Sequence, residues 1–176
     1  MFWAAMLFAN TTIMAQKMYI TIDGVTKSAT LVDNSATQEL VTKLQSSSVT
    51  VTLNSSGGFE IWGALGFSLP TSNEQINAQP GDIVLYNGSN ICMFYGTNSW
   101  SYTRLGKIDG MTENELRTFL KAGDSNISMT LSVSDPTGIS RVQVDGSSSR
   151  AYTLKGTVAQ AGRKGIIIQN GEKYVK

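Results

Sequence analysis

Between Met18 and Val133 apolar residues recur at every second position in short runs rich in Thr, Val, Ile and Tyr, and clusters of Gly, Asn and Ser part the runs. A period of two lays alternate side chains on opposite faces of an extended chain, so the runs are strands and the clusters their turns. Met18–Ile22 and Val25–Leu31, joined by Asp23-Gly24, predict a hairpin with a type I′ turn. Val49–Leu53, Asp82–Tyr86, Ile91–Tyr95, Ser101–Ile108 and Ile127–Val133 continue the series, giving at least seven strands.

Two segments break the alternation. Ser35–Leu44 sets Ala36, Leu40, Val41 and Leu44 on one helical face, with Ser35 and Gln38 at capping-box spacing. Thr112–Lys121 repeats the pattern: Thr112 and Glu115 can cap its start, Leu116, Phe119 and Leu120 form its apolar stripe, and Gly123 stops it. Two short helices among many strands point to a mainly β fold, a closed barrel plugged at its ends. Closure also removes the bare edges that Thr/Val strands would otherwise expose.

Composition narrows the chemistry. The chain has no histidine, which excludes Ser-His-Asp and Cys-His nucleophilic systems and every imidazole metal site. Cys92 is the one cysteine, so there is no internal disulfide and no thiolate cluster. With 14 basic residues against 13 acidic, the charge balance offers no footprint for nucleic acid. No cofactor is expected. Cys92, between Ile91 and Met93, reads as a small packed hydrophobe. The carboxylates are dispersed, and Ser55-Ser56-Gly57-Gly58 reads as a loop that lacks a nucleophile elbow or phosphate-loop lysine.

The ends of the chain differ from the middle. Residues 1–16 carry no charge, and an apolar run to Ala9 precedes a small and polar stretch ending Met-Ala-Gln. That pattern reads as a secretory signal peptide, too short to span a bilayer; a buried N-terminal helix is the alternative. The expected address is therefore exported (periplasm, cell surface or medium), and not an integral membrane protein. Ser134-Asp135-Pro136-Thr137-Gly138 marks a boundary. The expected domains are 1–16 signal, 17–134 barrel and 135–176 tail. The tail predicts strands at Ile139–Val144, Ala151–Leu154, Gly165–Gln169 and Tyr174–Lys176, with a hairpin at Asn170-Gly171 and a Ser147–Ser149 linker. Six basic residues against one acid follow Ser149, so the tail is basic.

Several spaced motifs carry a resemblance. Asp33-Asn34-Ser35-Ala36-Thr37 leads into the first helix, and Leu69-Pro70 follows mid-domain. Pro80-Gly81-Asp82-Ile83-Val84-Leu85-Tyr86, Ile91-Cys92-Met93-Phe94-Tyr95-Gly96 and Leu105-Gly106-Lys107-Ile108-Asp109 come next in order. From about Tyr19 to Val133 the chain resembles the bacterial cyclophilin-like domain family, a divergent relative of the cyclophilin β-barrel. Tyr152-Thr153-Leu154-Lys155-Gly156, Lys164-Gly165-Ile166-Ile167-Ile168 and Asn170-Gly171-Glu172-Lys173 resemble C-terminal tails that engage the type IX export machinery of some Gram-negative bacteria.

The first resemblance raises prolyl isomerisation, which in cyclophilins uses an arginine that donates to the prolyl amide beside an apolar pocket. This sequence lacks the family's Phe-His-Arg context, so no catalytic residue is carried over. Arg104, alternating with Tyr102 in a strand, reads as an exposed cation paired with a carboxylate. Phe59, Trp62, Phe94, Trp100 and Tyr102 cluster in two segments that the fold can bring to one side, and 57–63 and 98–101 look like loops. Tryptophans on loops often contact partners. The expected function is non-catalytic binding of an extended peptide or small ligand at an aromatic cleft of Phe59, Trp62, Phe94, Trp100 and Tyr102, with Arg104 as a donor. The alternatives are a weak prolyl isomerase and a structural or surface-attached module.

Overall fold

The computed structural model describes residues 16–136 and, further along, the backbone of three short strands. The chain divides into two compact units, Met1–Gly138 and Ile139–Lys176. The expected signal segment up to Ala15, the strand at Ile139–Val144 and the Ser147–Ser149 linker lie outside the described residues.

In the first unit, β1 (Lys17–Ile22) and β2 (Val25–Leu31) pair antiparallel around Asp23 and Gly24, whose φ values of 48° and 75° are those of a type I′ turn. Next come α1 (Ser35–Ser46), β3 (Val49–Ser56), β4 (Glu60–Ala64), β5 (Glu74–Ala78), β6 (Asp82–Tyr86) and β7 (Asn90–Phe94). The unit ends with β8 (Asn98–Ile108), α2 (Glu113–Phe119) and β9 (Ser125–Ser132). Antiparallel pairing runs β1-β2-β8-β6-β7-β4-β3-β9 and returns to β1, which closes a barrel of eight strands. β5 is an extra strand on the first half of β8.

The caps follow the side chains available. At α2 the capping box is the expected one, Thr112 with Glu115. At α1 it sits one residue earlier than expected: Asn34 and Thr37 form the box, while Gln38 bonds Asp33 at 2.9 Å. Asn34 does double duty, because its amide also donates to the Arg104 carbonyl at 2.7 Å and so ties α1 to β8. Leu40 and Leu44 of α1, with Leu116 and Phe119 of α2, belong to the same core as the barrel's inner face. That face includes Ile61, Ile83, Leu85, Ile91, Met93 and Leu105.

The alternate residues of the same strands form a second apolar layer outside the barrel. Val84, Cys92 and Phe94 pack there with Ile76 and Ala78 of β5 and Tyr102 of β8, flanked by Phe59 and Tyr86. The eleven-residue β8 makes this layer possible. Its second half is a barrel stave, and its first half carries β5. β6 is consequently buried on both faces from Asp82 to Leu85. Glu60–Ala64 and Asn98–Ser101, read as loops from the sequence, are strands, and Ser55-Ser56 closes β3 rather than lying in a loop.

In the second unit, β10 (Tyr152–Thr153), β11 (Ile166–Gln169) and β12 (Glu172–Val175) form a three-stranded antiparallel sheet. Gln169 faces Glu172 across Asn170-Gly171, the register of the expected hairpin.

Candidate functional site

Where the outer layer ends, a cavity of about 490 Å³ opens. β4 supplies Glu60 and Trp62, β7 supplies Cys92, and β8 supplies Trp100 and Tyr102. The register explains the grouping: Trp62 lies opposite Cys92 and Glu60 opposite Phe94, so all four share the outer face while Ile61 turns into the barrel. Tyr86, Asn87, Asn90 and Asn98 complete most of the rim.

The aromatic residues singled out in the sequence divide into two sets. Trp62 is 38% exposed and Trp100 is 57% exposed, so neither is a core residue. Tyr102 is buried, yet borders the cavity, and its hydroxyl takes a 2.8 Å hydrogen bond from the Asn98 amide. Phe94 sits beneath it, edge-on at 5.7 Å, with Phe59 stacked behind at 6.3 Å. Phe94 and Phe59 thus support the floor, and Trp62, Trp100 and Tyr102 meet the space.

Arg104 is not among the residues lining the cavity. It shares the face of Tyr102, but its guanidinium lies 3.6 Å from Asp82 and 3.8 Å from Glu74. Asp82 also takes Lys107 at 3.3 Å and the Gln79 backbone amide at 3.0 Å, closing the turn through Pro80 and Gly81 (φ 91°). The motif aspartate therefore holds a strand end and gathers two cations.

Sequence reasoning passed over Glu60. Burial raises its carboxyl above the ordinary glutamate range, and among the described residues its buried Oε2 has no hydrogen-bond partner. A signal for it existed: Glu60 and Trp62 are two apart, so they share a face once 60–64 is recognised as a strand. Burial first, then the Glu60 charge, pushes the Cys92 thiol far above its usual value, which removes it as a thiolate nucleophile. The same two causes raise the Tyr102 phenol, against the Asn98 hydrogen bond. The space thus brings together two exposed indoles, neutral polar groups and one carboxyl that has no hydrogen-bond partner among the described residues.

A second hollow, of about 450 Å³, lies between the β1–β2 turn and α2, lined by Val25, Met111 and Phe119 among others. Among the described residues no group of His, Cys, Asp and Glu is placed to hold a metal, and no helix is long and apolar enough to cross a membrane.

Comparison with solved structures finds a hypothetical protein from Archaeoglobus fulgidus, studied in solution. It is 16% identical with a TM-score of 0.52, and the match covers 68% of this chain and 95% of that one. At that identity the likeness speaks for the fold alone. No curated protein matches the chain. The family model described as "Cyclophilin-like family" matches residues 20–132, from within β1 to the last residue of β9. The match spans the closed barrel and the strand that covers its outer layer, and on it the chain belongs to the cyclophilin-like family.

Proposed function

We propose that this chain is a non-catalytic binding module whose ligand, a small molecule or one side chain of an extended peptide, enters the cavity between Trp62 and Trp100. The observation that carries this reading is the exposure of two indoles at the mouth of a cavity whose floor is already packed. A fold gains little by leaving such large apolar groups in water, and exposed tryptophans concentrate where partners bind. The cavity is also of the size that small ligands occupy.

The rival reading, a weak prolyl isomerase, needs a free guanidinium beside an apolar pocket. Arg104 is engaged by Asp82 and Glu74 and faces a different end of the layer, which speaks against it. Export is part of the proposal. Its support is the uncharged run of residues 1–16 and the basic tail that resembles sorting tails. Intact-mass analysis of protein recovered outside the cytoplasm should show a start near Lys17, and an unprocessed N-terminus there would overturn export by that route.

The binding test is an NMR titration of the ¹⁵N-labelled full chain with a panel of small polar molecules and short peptides. Shifts centred on Trp62, Trp100 and Tyr102 are expected. Shifts centred on Val25 and Phe119 would move the site to the second hollow. A prolyl-isomerase assay should show no acceleration over the slow uncatalysed rate. Acceleration abolished by Arg104→Ala would replace this reading with the rival.

A further inference from the structure

We infer that the group bound in the outer-face cavity is a primary ammonium, with Glu60 as its counter-charge and Trp62 and Trp100 as its walls; this rests on the reading of that cavity as a binding site. The argument begins with how the molecule treats its other partly buried carboxylates. Asp109 receives hydrogen bonds from Lys17, Ser28 and Thr30. Asp82 receives the Gln79 amide and lies within reach of Arg104 and Lys107. Glu60 alone of the three has a buried oxygen for which the described residues offer no donor. An unpaired buried carboxylate is among the less favourable things a fold can retain. Glu60 borders the cavity, so a molecule bound there can bring the donor that the described residues do not supply.

The lining selects the donor. No lysine or arginine borders the cavity, and its remaining polar side chains, Ser56, Asn87, Asn90 and Asn98, are neutral. Among the described residues, the space therefore holds one formal negative charge and no cation to balance it. Four aromatic rings, Trp62, Tyr86, Trp100 and Tyr102, border it, and ring faces attract cations, indoles most strongly. A hydroxyl donor would hydrogen-bond the Glu60 carboxyl but leave its charge unbalanced. A quaternary ammonium would balance the charge but bring no N–H. A primary ammonium does both, and its alkyl stem can lie along the rings.

The titratable groups that border the cavity with Glu60 are Cys92 from β7, Tyr86 from β6 and Tyr102 from β8; β3 adds only Ser56. Burial and the Glu60 charge move the thiol and the Tyr102 phenol upward, so both keep their protons and stay neutral from mildly alkaline to acid solution. Glu60 is then the group whose protonation switches binding. Because burial raises its carboxyl, the cation loses its partner on acidification at a pH above the ordinary glutamate value. The same chemistry has two sources, a free alkylamine or the side chain of a lysine in a peptide.

The test follows the indole N–H signals of Trp62 and Trp100 in the ¹⁵N-labelled full chain, assigned with Trp62→Phe and Trp100→Phe. The probes are n-butylammonium, 1-butanol, tetramethylammonium, glucose and Nα-acetyl-lysine amide. Saturable shifts with n-butylammonium, weakened about tenfold by Glu60→Gln and again on going from about pH 8 to about pH 4, are expected. A stronger response to the blocked lysine points to a peptide ligand, and a stronger response to butylammonium to a free amine. If glucose or butanol moves the indoles while butylammonium does not, or Glu60→Gln binds butylammonium as tightly as the parent, the ammonium assignment is overturned and the cavity stands. Silence of both indoles toward every probe overturns the assignment and the binding reading together. Should Glu60→Gln fail to fold, the pH series on the parent reads the same charge.

Discussion

Two carboxylates in two regions of the barrel show how differently one fold can treat the same group. At the seam where β2 meets the end of β8, Asp109 accepts from the Lys17 ammonium at 2.7 Å, the Ser28 hydroxyl at 2.7 Å and the Thr30 hydroxyl at 2.6 Å. Burial pulls its carboxyl upward, but these hydrogen bonds together outweigh it and hold Asp109 below the ordinary aspartate range. On the outer face, Glu60 has burial and, among the described residues, no donor, and its carboxyl is raised. The seam uses its acid to hold strands together, and the cavity leaves its acid unpaired. The motif residue is the structural one.

The largest effect should come from breaking the seam. Gly106 pairs with Ile83 on one side and Leu31 on the other, and a Cβ added there would stand 2.3 Å from the Thr30 carbonyl oxygen and 3.0 Å from Leu31 Cα. Both obstacles are backbone, so relief means moving β2 away from β8. Gly106→Ala is expected to cost about 3 kcal/mol in urea unfolding. A cost below about 1 kcal/mol would show the closure is looser than the barrel implies.

Removing the satisfied acid should cost less. Asp109→Ala strips one carboxylate from three donors, and because the site is partly exposed, screening limits the loss to about 1–2 kcal/mol. The folded-state value of Asp109 lies below its unfolded value, so its contribution is complete at neutral pH. It fades as the pH falls from the ordinary aspartate value through the folded one. Melting curves from pH 7 to about pH 2.5 should show parent and variant converging in acid, and a gap that persists there would mean that Asp109 acts through packing and not charge.

The seam was far more legible in the sequence than the cavity. Alternation, the Asp-Gly turn and the α2 capping box are local signals, and each appears where the residues put it. β4 was hidden by Gly63, which reads as a turn residue. It is glycine because a Cβ there would meet the Thr52 carbonyl oxygen at 2.3 Å, a constraint from the neighbouring strand. β5 was hidden because only Ile76 and Ala78 of its five residues are buried, and the residues they cluster with across the outer layer, Val84, Cys92 and Phe94, belong to β6 and β7. Arg104 illustrates the limit of alternation: period two gives its face, shared with Tyr102, and says nothing about which end of that face draws the guanidinium. Phe59 and Phe94 look like Trp62 and Trp100 in a list of aromatics. The covering ribbon of β5 and β8 decides which are floor and which are wall.

On the cavity side, truncation should separate binding from stability. Trp100 is more than half exposed, so Trp100→Ala is expected to change unfolding free energy by less than about 1 kcal/mol while abolishing the response of Trp62 to ligand. Phe94→Ala, fully buried beneath Tyr102, should instead lose about 3 kcal/mol. If Trp100→Ala destabilises as much as Phe94→Ala, the indole is a structural lid and the contrast between floor and wall fails.

The smallest expected effect has the opposite sign. A carboxyl whose folded value is raised binds more protons folded than unfolded in the window between its two values, so stability falls as pH rises through that window and stays lower above it. At pH 7 Glu60 therefore detracts from stability, modestly because the group is partly exposed and screened. Glu60→Gln keeps the shape and removes the charge, and should raise the melting temperature by roughly 1–3 °C at pH 7 with no gain at about pH 4, where the parent's carboxyl is protonated. A residue whose removal stabilises the free protein is what a group kept for a ligand should look like. A lowered melting temperature at pH 7 would instead mean that Glu60 is already satisfied as Asp109 is, and the two regions would then be treating their acids alike.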